Sequence, residues 1–298
     1  MAERLSKCPL CKSGLFLNYT EIKDYAVSKE TFIICQCQNC SLLFTNPRPK
    51  EDKIGPYYDF PEYYSHEKNN KNITQYIYNK VRDYAVSEKV KLITSLKGTG
   101  KLLDYGCGTG EFLNAAKQKG WKVKGVEPTK KAREQANLLL EDSVVRTIDQ
   151  LEGKKKYDVI SLFHVLEHIH TLRKTIKTLI KHLKSDGYIL IAVPNPASWD
   201  AQNYGKEWAG WDVPRHLYHF NETAIKNFEQ LFDLELVRTD PMTFDSYYVS
   251  LLSEGYLQPN QPTITKYLKA VISGWRSNKK AKNQIGQYSS NLFIFKKK

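Results

Sequence analysis

Three groups of residues in this chain have the types and spacing of chemistry. One is a glycine loop, Gly106-Cys107-Gly108-Thr109-Gly110, within KLLDYGCGTGEF, with Asp104 at its mouth and Glu127 following 127 − 104 = 23 residues later. Another is a pair of C-x-x-C knuckles, Cys8/Cys11 and Cys37/Cys40. The last is a pair of histidine-rich segments, HVLEHIH from His164 to His170 and DVPRHLYHF from Asp212 to Phe220.

A glycine loop before a helix usually cradles phosphate, because backbone N–H groups and the helix dipole favour an anion. A P-loop would place Lys and Ser or Thr after its last glycine, and Glu111-Phe112 stands there instead. A dinucleotide fingerprint would carry its third glycine one residue later than Gly110. The carboxylate of Asp104 would repel a pyrophosphate and attract a cation. Glu127, ending the next strand, can accept both hydroxyls of a ribose, as in dinucleotide folds. Glu127 suits either ligand, so the choice rests on Asp104 and the glycine spacing. S-adenosylmethionine, with an ammonium, a sulfonium and no phosphate, is the expected cofactor.

Five of the six cysteines lie in the first forty residues: Cys8, Cys11, Cys35, Cys37 and Cys40. Paired knuckles on hairpins can bring thiolates together around a tetrahedral Zn²⁺. Structural zinc on Cys8, Cys11, Cys37 and Cys40 is the expectation, with Cys35 packed rather than ligating. Disulfides are the competing reading, disfavoured in a cytosolic chain. A redox C-x-x-C is a further one, although no thioredoxin-like βαβ pattern surrounds either pair.

The elements that must position these groups follow from hydrophobic patterning. Pro47, Pro49, Pro56 and Pro61 preclude a long helix through a linker rich in tyrosine (Tyr57, Tyr58, Tyr63, Tyr64). Ile73 to Leu96 has helical spacing, with apolar Ile77, Val81, Ala85, Ile93 and Leu96. Strands and helices then alternate: KLLDYGC, GEFLNAAKQKG, KVKGVEP, TKKAREQANLLLE, SVVRTI, YDVISLFHV, TLRKTIKTLIKHLK and GYILIAVPN. That succession predicts an α/β fold with a doubly wound, mostly parallel sheet. LELVRTD and SSNLFIFKK are further strands with a helical excursion between them.

The 298 residues suffice for one full α/β core and an appendage. No window approaches the roughly 18 apolar residues of a membrane span, and the N-terminus has no apolar signal core, so a cytoplasmic location is expected. The net charge of +13 is partly local, in GKKKY (Gly153 to Tyr157), NKKAK (Asn278 to Lys282) and Lys296 to Lys298. It admits nucleic acid, an anionic headgroup or an acidic substrate, with a solvated lysine-rich face as the plain reading.

LLDYGCGTGEF, VKGVEP, YDVISLFHVLEHI and GYILIAVPN resemble, in order, the motifs of class I S-adenosylmethionine-dependent methyltransferases. The knuckles, LLFTNPRP and DVPRHLYHF resemble a bacterial subgroup with an N-terminal zinc ribbon whose members often act on sugars, quinone precursors or other small metabolites. The resemblance implies a Rossmann-like seven-stranded sheet. It divides the chain into a zinc ribbon (1–48), a linker with a helix (49–99) and a methyltransferase domain (100–298). It implies that Asp104, Gly106, Cys107 and Gly108 meet the methionine part of the cofactor and Glu127 its ribose. Pro128 and Ile148 would flank the adenine, and Phe163 and His164 would line the methyl. In the quinone O-methyltransferases a Glu stands at the position of His164, and carboxylates there help bind a divalent ion. Glu167 and His168 match, but His164 departs, so metal-assisted catalysis is not expected. Glu167 and His168 are expected to order the following loop.

The acceptor site is expected in the insertion 195–221, a loop over the carboxyl edge of the sheet. Its Trp199, Trp208 and Trp211 would stack a ring or sugar face, with Asp212 beside Arg215, which would hold an anionic group. His216 or His219 would act as base, their ordinary pKa being suited to it; the bland alternative is a self-packed aromatic loop. The partner expected is therefore a small-molecule methyl acceptor. An RNA methyltransferase is the rival reading, supported by charge. The Asn/Asp-Pro-Pro-aromatic motif of amino-methylating enzymes is replaced here by FHVLEH, and the one core cysteine, Cys107, sits in the cofactor loop. A non-catalytic cofactor-binding protein is the other rival, and the glycine spacing disfavours a nicotinamide-dependent oxidoreductase. The sequence leaves the oligomeric state open.

Overall fold

The structure, a computed structural model, describes residues 2–58, 73–151, 156–283 and 286–298. Pro61, Tyr63, Tyr64, the side chain of Ile77 and residues 153–155 of the lysine run lie outside those described.

The alternating pattern folds into a Rossmann-like, mostly parallel sheet of seven strands. In chain order these are β1 (Lys101–Tyr105), β2 (Lys122–Val126), β3 (Val144–Val145), β4 (Tyr157–Phe163), β5 (Leu183–Pro194), β6 (Leu234–Pro241) and β7 (Ser290–Lys297). Their spatial order is 3-2-1-4-5-7-6. β1 runs parallel to β2 and to β4, and β2 parallel to β3. The chain therefore winds one way from β1 to β3 and resumes on the other side of β1 with β4. The cleft between β1 and β4 is the switch point where such sheets bind ligands.

The central strands are apolar on both faces, as a covered parallel sheet requires: Leu102, Leu103, Val159, Ile160, Leu162 and Ile189 to Ile191 are all buried. Leu172, Ile176 and Leu179, at helical spacing along Leu172–His182, bury the apolar stripe of that helix. The third strand is shorter than SVVRTI suggests. It stops at Val145 because Thr147 and Gln150 form a capping box on the 3-10 turn Ile148–Gln150.

The chain forms two compact units. One comprises Met1–His66, Leu166–Thr175 and Ala192–Phe293; the other comprises Glu67–Val165, Ile176–Ile191 and Ile294–Lys298. This grouping differs from a linear division at residues 48 and 99. Its reason lies in the first unit, where an antiparallel sheet runs in the order Tyr218–His219, Leu43–Thr45, Thr31–Cys37, Phe16–Lys23. The insertion after β5 thus donates a strand to the cysteine-bearing ribbon. It is also more ordered than a loop, since Ser198 caps a short helix, Trp199–Tyr204, by accepting from Ala201 N.

Candidate cofactor and acceptor sites

Asp104 and Ser161 face each other across the switch point as register partners on β1 and β4. Asp104 is buried, and its Oδ1 accepts from the Ser161 hydroxyl at 2.7 Å. Burial pushes its carboxyl up to about 6 from 3.8, with nearby Glu127 adding to the rise and Lys89 opposing it. A buried carboxyl held this high gains from a cationic ligand, because the ligand's charge offsets desolvation.

The loop after β1 turns back through Gly106 N and Cys107 N, which donate to Val126 O at 2.7 and 3.2 Å. Gly106 has φ +79°, and a Cβ there would lie 2.4 Å from Val165. Gly108 has φ +54°, with nothing within 4 Å of where its Cβ would stand. The first glycine is thus required by packing, while the second leaves open space in front of the loop. Glu127 accepts from Gly108 N at 2.9 Å and from Thr129 N at 2.8 Å, one bond per carboxylate oxygen. Each oxygen keeps a lone pair for a further donor, such as a ribose hydroxyl. Burial first, then the Asp104 and Glu127 charges, push the Cys107 thiol up, away from thiolate chemistry. Phe163, ending β4, packs edge-on against Phe112 at 5.3 Å, and His164 follows with φ +56°. Pro128 is exposed and Ile148 half-buried, on the segments after β2 and β3.

Sequence reasoning missed Lys89. Its Nζ sits 4.0 Å from the Phe163 ring centroid, and its charge acts on Asp104. The signal was present: Lys89 stands in the gap between Ala85 and Ile93 at i+4 steps, one polar residue on an otherwise apolar helical stripe.

In the other unit the structure gathers Glu167, His168, Asp212, His216 and His219. His168 Nδ1 contacts Tyr58 Oη and Arg215 O, each at 3.0 Å, and Leu217 N donates to Glu167 O at 2.8 Å. The Glu167–His168 turn thus anchors residues 215–217. His168 and His216 pack ring to ring at 4.7 Å. Burial first, then the His216 charge, lowers His168 to about 4, and the same two causes depress His219. His216 Nδ1 lies 2.9 Å from Gly210 O, so that nitrogen carries the proton, and Nε2 faces the Glu167 and Asp212 carboxylates at 4.0 and 3.9 Å. Ligand atoms of Glu167, His168 and His216 lie within 4.8 Å of one another, so this cluster has the donor types of a cation site as well as of a base.

Two expectations about the insertion need correction. Arg215 is not available to hold an anionic ligand. Its Nε and Nη2 donate to Asp212, Nη2 also to Asp24 at 3.0 Å, and Nη1 to Tyr57 O at 2.9 Å, all with the side chain buried. Nor are Trp208 and Trp211 exposed platforms. They are buried in a core with Ile22, Ile34, Leu43 and Tyr204, and Trp208 Nε1 donates to buried Asp200 at 2.8 Å. Satisfied indole and guanidinium donors make this a packed scaffold.

The four cysteines of the knuckles converge. Cys8 and Cys40 Sγ lie 3.6 Å apart, Cys11 and Cys37 Sγ 3.5 Å, and all four within 4.8 Å. Zn–S bonds of about 2.3 Å at tetrahedral angles put sulfurs roughly 3.8 Å apart, so the set fits a zinc ion. Cys35 is buried apart from it, its Sγ 3.8 Å from Asn46 O, and burial raises its thiol.

Residues 78–239 match a family described as a methyltransferase domain. The chain is 28% identical over 123 residues to the ubiquinone biosynthesis O-methyltransferase of Rickettsia typhi, covering 39% of this chain and 50% of that protein. It is 32% identical over 123 residues to the enzyme of the same name from Pelagibacter ubique, again 39% and 50%. The alignment thus spans about half the length of these relatives. A solved structure of a SAM dependent methyltransferase from Archaeoglobus fulgidus is 21% identical, with a TM-score of 0.46, covering 72% of this chain and 94% of that one.

Proposed function

Because the chain belongs to the methyltransferase-domain family, we propose that it transfers a methyl group from S-adenosylmethionine to a small-molecule acceptor. The observation that carries this reading is the pair of buried carboxylates, Asp104 and Glu127, around a loop that turns at positive φ on Gly106, Gly108 and Gly110. The similarity to ubiquinone biosynthesis O-methyltransferases supports a small acceptor such as a quinone precursor.

S-adenosylmethionine, when bound, supplies a methyl carbon activated by its sulfonium. Asp104, oriented by Ser161, would take the ammonium of the methionine part, and Glu127 the ribose hydroxyls. Gly106, Cys107 and Gly108 would line the methionine part, Pro128 and Ile148 the adenine. Phe163 and His164 would shield the methyl region from water, which raises the weight of every charge inside. For a hydroxyl acceptor the chain must also remove a proton. Of the clustered histidines, His168 and His219 are held neutral by burial. His216 keeps Nε2 toward two carboxylates that would balance an imidazolium, and we assign it the proton. A Zn²⁺ on Cys8, Cys11, Cys37 and Cys40 would brace the ribbon; four protein ligands leave no open position for chemistry.

The test is calorimetric titration with S-adenosylmethionine and, separately, NAD⁺. Binding of the first alone, weakened in Asp104→Ala and Glu127→Ala, is expected, followed by transfer of labelled methyl to a panel of small hydroxylated acceptors. Binding of NAD⁺ instead would overturn the reading.

A further inference from the structure

Between β6 and β7 the chain builds two helices, Asp245–Leu257 and Thr263–Ala281, whose inner faces brace the insertion: Ser253 Oγ accepts from Ala209 N at 2.9 Å and Ser277 Oγ donates to Asp200 Oδ1 at 2.7 Å. The second buries only small residues: Ala270, Ser273, Gly274, Ser277 and Ala281. Gly274 approaches Tyr247 so closely that a Cβ would stand 2.7 Å from its ring. Ser246 Oγ donates to Gly274 O at 3.2 Å and Asn278 Nδ2 to Thr243 O at 2.9 Å, fixing the helix on its neighbour.

The large apolar residues of this helix face outward. Ile264, Leu268, Val271, Ile272 and Trp275 are exposed, Ile264 by 76% and Trp275 by 52%. Steps of three and four residues put them on one face. A contiguous apolar face of this kind on a protein surface marks something that covers it.

Charge on the same helix identifies the cover. Lys266, Lys269, Arg276, Lys279 and Lys280 lie on it, Lys282 follows, and no Asp or Glu occurs from Thr263 to Lys282. At 100° per residue, Arg276, Lys279 and Lys280 fall along one edge of the apolar stripe, while the buried small residues fall along the other. Lys279 Nζ lies 4.9 Å from the Trp275 ring centroid, at the boundary of the two zones. A second copy seated here would bring two all-cationic helices together with no counter-charge. An anionic bilayer supplies both complements, acyl chains for the stripe and phosphates for the lysines, and tryptophan favours that depth. Among the described residues no helix is long and apolar enough to cross a membrane, so this helix would lie in the interface.

We propose that Thr263–Ala281 docks the protein flat on an anionic lipid surface. The proposal does not depend on the methyl-transfer reading. It is tested by co-sedimentation of the full chain with vesicles of phosphatidylcholine alone and of equal parts phosphatidylcholine and phosphatidylglycerol. Binding to the anionic vesicles is expected, falling at least about tenfold on the neutral ones and in high salt. Leu268→Asp/Trp275→Asp and Lys279→Glu/Lys280→Glu should each lose about tenfold or more while unfolding at the wild-type temperature, the altered side chains being exposed. In the unaltered protein, brominated lipid should quench tryptophan emission, and Trp275→Phe should abolish that quenching. No sedimentation with anionic vesicles, or wild-type binding by the Leu268→Asp/Trp275→Asp variant, would overturn the proposal. A dimer that this variant dissociates, with no vesicle binding, would assign the stripe to a second copy instead.

Discussion

Ser161 Oγ donates to Asp104 Oδ1 at 2.7 Å, between register partners on two parallel strands. A single short bond is little solvation for a buried carboxylate, and the carboxyl titrates at about 6 as a result. The fold thus maintains an unfavourable charge at its switch point, of the sign a cationic ligand would relieve. Structural needs alone would favour a neutral residue there.

Asp104→Asn is therefore expected to stabilise the ligand-free protein while weakening S-adenosylmethionine. A carboxyl whose folded pKa lies above its unfolded 3.8 favours the folded state at low pH and penalises it as the pH rises through about 6. The penalty at pH 8 is on the order of 3 kcal/mol, or an unfolding temperature raised by about 5 °C in the Asn variant. The gain should shrink toward pH 5, and calorimetry should find affinity for S-adenosylmethionine reduced about tenfold or more. Scanning calorimetry at the two pH values checks the first part.

Gly108→Ala separates the fold from the site. Nothing lies within 4 Å of the added methyl, so the cost is that of an alanine at φ +54°, about 1–2 kcal/mol. The methyl would project into the space in front of the loop, and cofactor affinity should fall by at least about tenfold. Gly106→Ala should be worse for stability, because its methyl meets Val165 at 2.4 Å. Thermal melts and titrations of the two variants side by side distinguish them.

The difference between what was legible and what was not follows chain distance. Asp104, the glycine loop and Glu127 lie within one β-α-β unit, where local patterning fixes which strand end each residue reaches. Asp24 and Arg215 are 191 residues apart, and nothing local marks them as a buried pair. The ambiguity of the insertion was of another kind. Tryptophans read equally well as a ligand platform or as core, and only the packing of Trp208 and Trp211 on Ile22 and Ile34 of the ribbon decides for core. Lys89 was readable as an interruption in an apolar stripe, yet only the fold brings it to Phe163.

Arg215→Ala should unfold the scaffold. Asp24 is buried, and burial alone would raise its carboxyl, but the Ser28 N–H and the Arg215 guanidinium hold it below 3.8. Such a depressed group stabilises above its unfolded pKa and loses that contribution as the pH falls below 3.8. Removing one partner of a fully buried pair costs about 3–5 kcal/mol. Urea denaturation at pH 7 should show a loss of that size for both Arg215→Ala and Asp24→Ala. A wild-type midpoint with lost acceptor binding would return Arg215 to the ligand.

Metal analysis should find about one zinc per chain, as a closed four-thiolate site requires. Cys37→Ser should release it and lower the unfolding temperature, whereas Cys35→Ser should retain it, because the Cys35 thiol contacts Asn46 O and Asn18 Oδ1 rather than the cluster. Zinc retained in Cys37→Ser at wild-type affinity would refute the ligand set.

His216→Asn tests the proton acceptor without disturbing its surroundings. The Asn amide can mimic Nδ1–H and donate to Gly210 O, which His216 contacts at 2.9 Å, but it offers no basic nitrogen to the Glu167 and Asp212 carboxylates. With a hydroxyl acceptor, kcat should fall by about 10²–10⁴, the usual weight of a general base. S-adenosylmethionine affinity and stability should stay within about twofold and 1 kcal/mol, the range of a conservative change. His219→Asn is the contrast: burial already holds His219 neutral, so its loss should act on stability more than on kcat. If instead His216→Asn turns over within about threefold of wild type on an acceptor that must lose a proton, the base lies elsewhere, and His164 beside Phe163 becomes the residue to substitute next.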